Sequence, residues 1–285
     1  MNEIKRVLIH IRWPLQSFTL LGFLFGMVVS RIDLSADLVL GFISWFFLCS
    51  AIAVFNSYYD KDEKPVAGLE NPPTAAFSML IGAWLLKISG FIIALFLNKM
   101  FLAIYIAGVV LSVLYSHEKF RLKSNGYIAV FLNFIVGAMT FLVASSFSLP
   151  SPAILFFGSV TAGSFLAAIY LMMQVHQKVE DKDRKDISIM VLYGRKVTIT
   201  FAMFLMIVAA TLSLVSLVMS NYQWFYIFIL IVYFATILFF SYMWLKKQEE
   251  PMSDFKIMNK LTMRLSYAAN LILIVIYIFE IANRS

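Results

Sequence analysis

Two stretches, far apart in the chain, carry oxygen-bearing side chains at helical spacing beside long apolar runs. The first, Leu48–Asp62, reads LCSAIAVFNSYYDKD. Asn56 and Asp60 are four residues apart, which puts them on one face of a helix, and Asp62 and Glu63 follow. The second, Met172–Asp186, reads MMQVHQKVEDKDRKD. There Gln174, Gln177 and Asp181 follow an i, i+3, i+7 pattern expected of one continuing helix, and Glu180 and Asp186 add acid. Carboxylate and amide oxygens from two such helix ends would hold a hard cation and a phosphate group. Between them lies Tyr115–Lys123, YSHEKFRLK, whose Lys119, Arg121 and Lys123 could supply cations for phosphate oxygens. Each stretch also has a plainer reading: an acidic solvated loop, a charged helix face with i, i+4 ion pairs, and a basic loop that sets topology. Against these, Asn56, Asp60 and Gln174 stand at the edges of apolar runs, where polar groups are costly unless paired or used.

The elements that must position these residues are membrane spans. Hydrophobic residues make up 61% of the 285 positions and charged residues 14%, against about 25% charged in soluble domains. Apolar runs long enough to cross a bilayer fall at 13–31, 37–57, 76–98, 100–116, 127–148, 152–174, 197–219, 223–245 and 262–282. Turn signals at Asp33–Ala36, Pro150–Ser151–Pro152 and Ser220–Asn221 separate several of them, whereas only Asn98–Lys99 divides the third from the fourth. The expected fold is all-α: a polytopic membrane bundle of about nine transmembrane helices around a central cavity, one membrane domain over residues 1–285. The first apolar run is as long as a span and lacks a small-residue cleavage site, so it reads as a span and not a signal peptide. Cys49, the single cysteine, lies in an apolar run and reads as a small buried hydrophobe.

Nine spans divide the charges unevenly. Of 23 Lys and Arg, only Arg31, Lys99, Arg284 and the intramembrane Lys87 fall outside the N-terminus and the loops after even-numbered spans. That bias places the N-terminus, these loops and the polar stretches on the cytoplasmic face of the cell inner (plasma) membrane, and the C-terminus on the opposite side. Of 16 acids, only Asp33, Asp37 and Glu280 depart from the same face, a bias that topology does not require. The net charge of +7 does not indicate a nucleic-acid partner, because the positive residues sit in short loops where topology alone places them. Lys87 is costly at its depth and by default functional; no role follows from its neighbours in the sequence.

Taken together, the three stretches resemble the motifs of the UbiA superfamily of membrane prenyltransferases. In that family the second span ends in Asn-Asp-x-x-Asp-x-x-x-Asp. The sixth carries Asp-x-x-x-Asp followed by a Gly-terminated run, and Tyr-Ser-x-Pro-Pro-x-Arg-Leu-Lys lies between. Here stand Asn56-Ser57-Tyr58-Tyr59-Asp60, then Tyr115-Ser116 with Arg121-Leu122-Lys123, then Gln177-x-x-x-Asp181 and Gly194. Ser57 and Lys64 replace two acids of the first motif, Gln177 replaces one of the second, and Glu118 and Lys119 fill the proline positions. The run Gln174-x-x-Gln177-x-x-Glu180-Asp181-x-x-Arg184-x-Asp186 is similar to that of divergent bacterial members.

The resemblance implies Mg²⁺-dependent transfer of a prenyl group from a polyprenyl diphosphate to a lipophilic, usually aromatic, acceptor within membrane lipid. It casts Asp60 and Asp181 as catalytic residues and Asn56, Asp60, Gln177 and Asp181 as metal ligands. Tyr115, Lys119, Arg121, Lys123 and Arg184 would bind diphosphate, with Asp62, Gln174, Glu180 and Asp186 supporting them. Tyr58, Tyr115 and Tyr170 could face the allylic cation left by diphosphate departure. Two other readings stay open on the residues alone. One is a cyclase of the same superfamily that ionises the same donor. The other is a membrane transporter, although transporters place their polar groups near the midplane, not at one edge.

Overall fold

The structure is a computed structural model and describes residues 2–62, 64–66 and 68–283. Glu63 and Arg284, named above, lie outside the described residues. The helices are α1 (Glu3–His10), α2 (Gln16–Val29), α3 (Ala36–Asp60), α4 (Phe77–Ala94), α5 (Lys99–Ser116), α6 (Gly126–Ser145), α7 (Pro152–Gln174), α8 (Lys178–Asp183), α9 (Ile189–Met219), α10 (Trp224–Leu245) and α11 (Pro251–Ala282). Among the described residues, nine helical segments are long and apolar enough to cross a membrane. α1 and α2 together make the first of these, and the short α8 makes none.

The thin boundary between the third and fourth spans is a true one. α4 ends at Ala94, and the Asn98 side chain accepts from the Phe101 N–H (2.8 Å), starting α5. Ser35, Asn125, Ser151 and Ser188 cap α3, α6, α7 and α9 in the same way. Each supplies an oxygen to N–H groups that the first helical turn leaves without partners.

Two boundaries depart from the apolar runs. α1 is an amphipathic helix from Glu3 ahead of the span, and α11 begins at Pro251, upstream of the expected 262. α9 begins at Ile189 but breaks at Gly194, so its continuous part starts close to the expected 197. In both departures the helix holds charged residues that a hydropathy reading excludes. Length is set by hydrogen bonding along the backbone, and apolarity marks only the part inside lipid. A further departure lies in the second polar stretch. α7 stops at Gln174, a turn carries Val175–Gln177, and α8 starts at Lys178, so the expected single helix is two.

The helices form a closed ring. α2 packs on α6, α7 and α11, α3 on α4 and α5, α6 on α5 and α7, α7 on α9, and α10 on α9 and α11. First and last spans are pinned together by Ser17 Oγ against Ser266 Oγ (2.6 Å) and by Asn270 Nδ2 donating to the Ser17 carbonyl (2.9 Å). Polar contacts of this kind hold helices where lipid removes the hydrophobic drive to associate.

Gly194 interrupts α9 with φ +76°, a region that suits glycine. Directly after it, Arg195 enters a buried network. Its guanidinium donates to both oxygens of Asp254 and to the carbonyls of Trp244 (2.7 Å) and Leu245 (3.2 Å). Trp244 Nε1 donates to Asp254 Oδ1 (2.6 Å). Three helices are thereby joined at the polar face. Asp254→Ala should cost about 3–5 kcal/mol, because it leaves the Arg195 charge buried and unpaired. The double variant Arg195→Met/Asp254→Leu should recover most of that stability. Thermal unfolding in detergent micelles compares the two.

Candidate active site

α3 ends at Asp60, where Lys61 adopts a left-handed conformation (φ +51°) and turns the chain back across the helix end. One helical turn earlier, Asn56 lies on the same face, as its spacing requires. Both residues line a cavity of about 270 Å³. Its wall also holds Arg12, Gln16, Asp62, Tyr115, Lys123, Asn133, Tyr170, Gln174, Gln177, Asp181, Arg184, Asp186 and Ser188. The polar ends of α3 and of the α7–α8 segment therefore meet over one hollow.

The α5–α6 turn is brought to the site by backbone pairing. Ile187 N–H donates to the Ser124 carbonyl (2.7 Å) and Gly126 N–H to the Ile187 carbonyl (2.8 Å). A Cβ at Gly126 would stand 2.7 Å from the Ile189 nitrogen, so no larger residue permits this approach. Arg121, in a left-handed conformation (φ +38°), bends the turn inward. Its guanidinium grips Asp186 with two hydrogen bonds (3.1 and 2.9 Å) and lies 3.4 Å from Asp60. Lys123 Nζ donates to Asn56 Oδ1 (2.6 Å) and to Asp60 Oδ1. Lys119 does not share this placement. It is exposed on the outer side of the bend, its N–H on His117 Nδ1 (3.3 Å), away from the cavity wall. The bend that turns Arg121 and Lys123 inward leaves Lys119, expected to bind diphosphate with them, exposed and out of the cavity wall.

Arg184, at the end of α8, reaches Asp62 (3.2 Å) and approaches Asp60 (4.0 Å). Asp62 is buried and also accepts from Arg12 (2.5 Å), which donates to Ser57 Oγ (2.8 Å) as well. Arg12 is thus a wall residue that the motifs do not flag. Its position at the polar end of the first span was the available signal, and there it reads as one more topogenic charge. Gln174 donates to the Tyr170 hydroxyl (2.7 Å), and Asn133 to that of Tyr115 (3.4 Å). Glu180 is buried behind the wall and not in it; Tyr58 lies outside the wall as well.

Against this well-paired set, two fully buried wall oxygens have no hydrogen-bond partner: Asp181 Oδ2 and Gln174 Oε1. Burial pushes the Asp181 carboxyl up to about 6, and the neighbouring Asp186 and Glu180 carboxylates add to it, against Ser188 and Arg184. Burial raises Glu180 likewise. For Lys123, burial outweighs the Asp60 carboxylate and lowers its pKa. Among the described residues no three His, Cys, Asp or Glu side chains cluster as a metal centre. A divalent cation here would draw on amide oxygens and on phosphate oxygens of its own ligand. Unpartnered carboxylate and amide oxygens, all hard donors, fit Mg²⁺ in that role.

Away from the polar mouth the wall is formed by Leu15, Phe18, Cys49, Ile52, Ala53, Val136, Leu166, Ile169 and Met173. A second, almost wholly apolar cavity of about 70 Å³ shares Phe18, Thr140 and Leu166 with it. Lys87 belongs to neither. It is buried with Nζ 3.8 Å from the Phe55 ring centre and 4.6 Å from that of Trp84, a cation–π setting.

Fold and site thus define a helical membrane protein with a charged mouth over an apolar hollow. The chain belongs to the UbiA prenyltransferase family, whose model matches residues 17–268. Among solved structures it is similar to digeranylgeranylglyceryl phosphate synthase, with 20% identity, a TM-score of 0.68, and coverage of 98% of this chain and 99% of that one. It is also similar to a UbiA homologue from Archaeoglobus fulgidus bound to DMAPP and Mg²⁺, with 17% identity, a TM-score of 0.68, and coverage of 93% and 98%. A UbiA homologue from Aeropyrum pernix K1 matches with 17% identity, a TM-score of 0.65, and coverage of 93% and 98%. No curated protein matches. At these identities the structural likeness concerns the fold.

The raised pKa of Asp181 has a measurable consequence. An acid whose folded-state pKa stands above its unfolded value stabilises the fold in its protonated form. That contribution is complete below the ordinary 3.8 and is lost as pH rises through about 6. Asp181→Asn should therefore stabilise the ligand-free protein at pH 7.5 by on the order of 1–3 kcal/mol. It should give little gain at pH 4. Thermal unfolding of both proteins at the two pH values measures the difference.

Proposed function

We propose that this protein transfers a prenyl group from a polyprenyl diphosphate to a lipophilic acceptor, with Mg²⁺ as cofactor. The observation that carries the reading is the division of one hollow into a mouth crowded with paired charges and a depth walled by apolar side chains. A prenyl diphosphate has the same division. The Archaeoglobus fulgidus homologue, of the same fold, has been seen with DMAPP and with GPP together with Mg²⁺.

Diphosphate leaves an allylic carbon only when its negative charge is taken up as it develops. Arg12, Lys123 and Arg184 line the mouth, and Arg121 stands behind Asp60, so cations surround the place where phosphate oxygens would lie. Each already has a carboxylate partner. An entering diphosphate would therefore exchange partners with fixed charges, and no bare cation need wait in an apolar bundle. Asp60, Asn56, Gln177 and Asp181 are the proposed oxygen donors for Mg²⁺, which when bound would neutralise phosphate charge. Asp62, Gln174, Glu180 and Asp186 hold these groups in place. The rings of Tyr115 and Tyr170 line the wall between the charged mouth and the apolar depth, where they can face an allylic cation. Apolar walls keep water from that cation, and the prenyl tail would extend toward the second cavity.

The charge bias supports a mouth that lies, with the N-terminus, on the cytoplasmic side of the cell inner membrane. The acceptor, soluble in lipid, would reach the site from the bilayer.

Purified protein supplied with prenyl diphosphates, an acceptor panel and Mg²⁺ should release diphosphate and yield prenylated acceptor, read by mass spectrometry. Chelation of Mg²⁺ should stop turnover and its return should restore it. Asp60→Asn and Asp181→Asn should each lose on the order of 10²–10³-fold in kcat/KM. Full turnover in both variants rejects the proposal, and a cyclic product formed without acceptor assigns the same site to cyclisation.

A further inference from the structure

The two helix ends that meet over the cavity are not equally free to take a metal ion. On the α3 side the oxygens stand among cations. Asn56 Oδ1 accepts from Lys123 Nζ (2.6 Å) and from Ser116 Oγ (3.0 Å). Asp60 Oδ1 is held by the same Nζ, with Arg121 at 3.4 Å, and Asp60 Oδ2 has Arg184 at 4.0 Å. Asp62 is divided between Arg12 and Arg184. No further acid strengthens this side at the motif positions: residue 57 is a serine, and Lys64 is an exposed cation near Asp183. A divalent ion bound at about 2.0–2.1 Å to Asn56 Oδ1 and Asp60 Oδ1 together would have to occupy the space in which the ammonium now stands.

The α7–α8 side is the reverse. Gln174 is 4% exposed and Asp181 8% exposed, both line the cavity, and Gln174 Oε1 and Asp181 Oδ2 lack any partner. Gln177, at the start of α8, lines the same wall. Buried oxygens without donors are costly, and these are the hard donors that Mg²⁺ prefers.

We infer that the protein binds a single divalent cation, on Asp181, Gln174 and Gln177, and that the Lys123 ammonium, held on Asn56 and Asp60, supplies the second positive charge. A diphosphate would lie between a metal on one wall and an ammonium on the other. Asp60 then acts by positioning Lys123, and its carboxylate is not a ligand of the metal. This inference rests on the prenyl diphosphate reading above and revises its ligand set: Asn56 and Asp60 leave it, and Gln174 joins Gln177 and Asp181.

Mn²⁺ serves as the probe, counted by electron paramagnetic resonance on the purified full-length protein with a non-reactive thio-analogue of geranyl diphosphate. One Mn²⁺ per chain is expected, and two per chain overturns the inference. Asp181→Asn should weaken Mn²⁺ binding by on the order of 10–100-fold, whereas Asp60→Asn should leave it unchanged while losing turnover. The opposite pattern places the metal on α3 and overturns the inference. Lys123→Met, with the ammonium gone, should take up a second Mn²⁺; a variant that stays at one removes Lys123 from the assigned role. Equilibrium dialysis of the analogue separates the two levels of the argument. Failure of the wild type to retain it overturns the prenyl diphosphate reading and this inference with it. Retention with two Mn²⁺ overturns the inference alone.

Discussion

An ammonium and a carboxylate, both taken out of water at the edge of an apolar bundle, can be kept there only by each other. Desolvation costs several kcal/mol per ion, and close pairing is what offsets it. The Lys123–Asp60 pair, and the bridges of Arg12, Arg121 and Arg184 around it, impose this condition on the whole polar face. Every one of these bridges joins elements that are distant in sequence. Arg12 ties the entry to α2 to the chain beyond α3, Arg121 ties the α5–α6 turn to the chain after α8, and Arg184 ties α8 to Asp62. The geometry of the mouth therefore follows from charge pairing, and the surrounding helices supply the apolar frame that makes the pairing obligatory.

The protein keeps a second lysine in the bundle by different means. Lys87 has no oxygen partner and lies instead on the faces of Phe55 and Trp84. Ring faces attract a cation without offering it a proton acceptor. Lys123, held by oxygens, can exchange one anion for another; Lys87 has nothing to exchange. The contrast explains why one lysine belongs to the cavity and the other does not, although both are buried.

Much of this arrangement is legible in the chain. Span number follows from the lengths of the apolar runs, and even the narrow Asn98–Lys99 break is real because asparagine caps the next helix. The shared face of Asn56 and Asp60 follows from helical period, and both meet Lys123. The break between α7 and α8 was not legible, since Val175-His176-Gln177 contains neither glycine nor proline. The inward turn of Arg121 depends on a left-handed conformation at an arginine, which no residue type announces. For that reason Lys119 and Lys123, four residues apart in one basic run, have opposite fates. Arg12 escaped notice because a positive charge at the end of a span has a sufficient explanation in topology alone.

The seam between α2 and α11 bears on how the ring comes to close. Ser17 of α2 has a local partner in the Pro14 carbonyl (2.7 Å) and meets Ser266 of α11, 249 residues further along the chain, as well. During synthesis α2 can therefore rest in lipid on its local bond while the helices between are laid down. The small apolar cavity has Phe18 and Leu21 of α2 on one side and Ala269 and Leu273 of α11 on the other, so it gains that wall only when α11 docks.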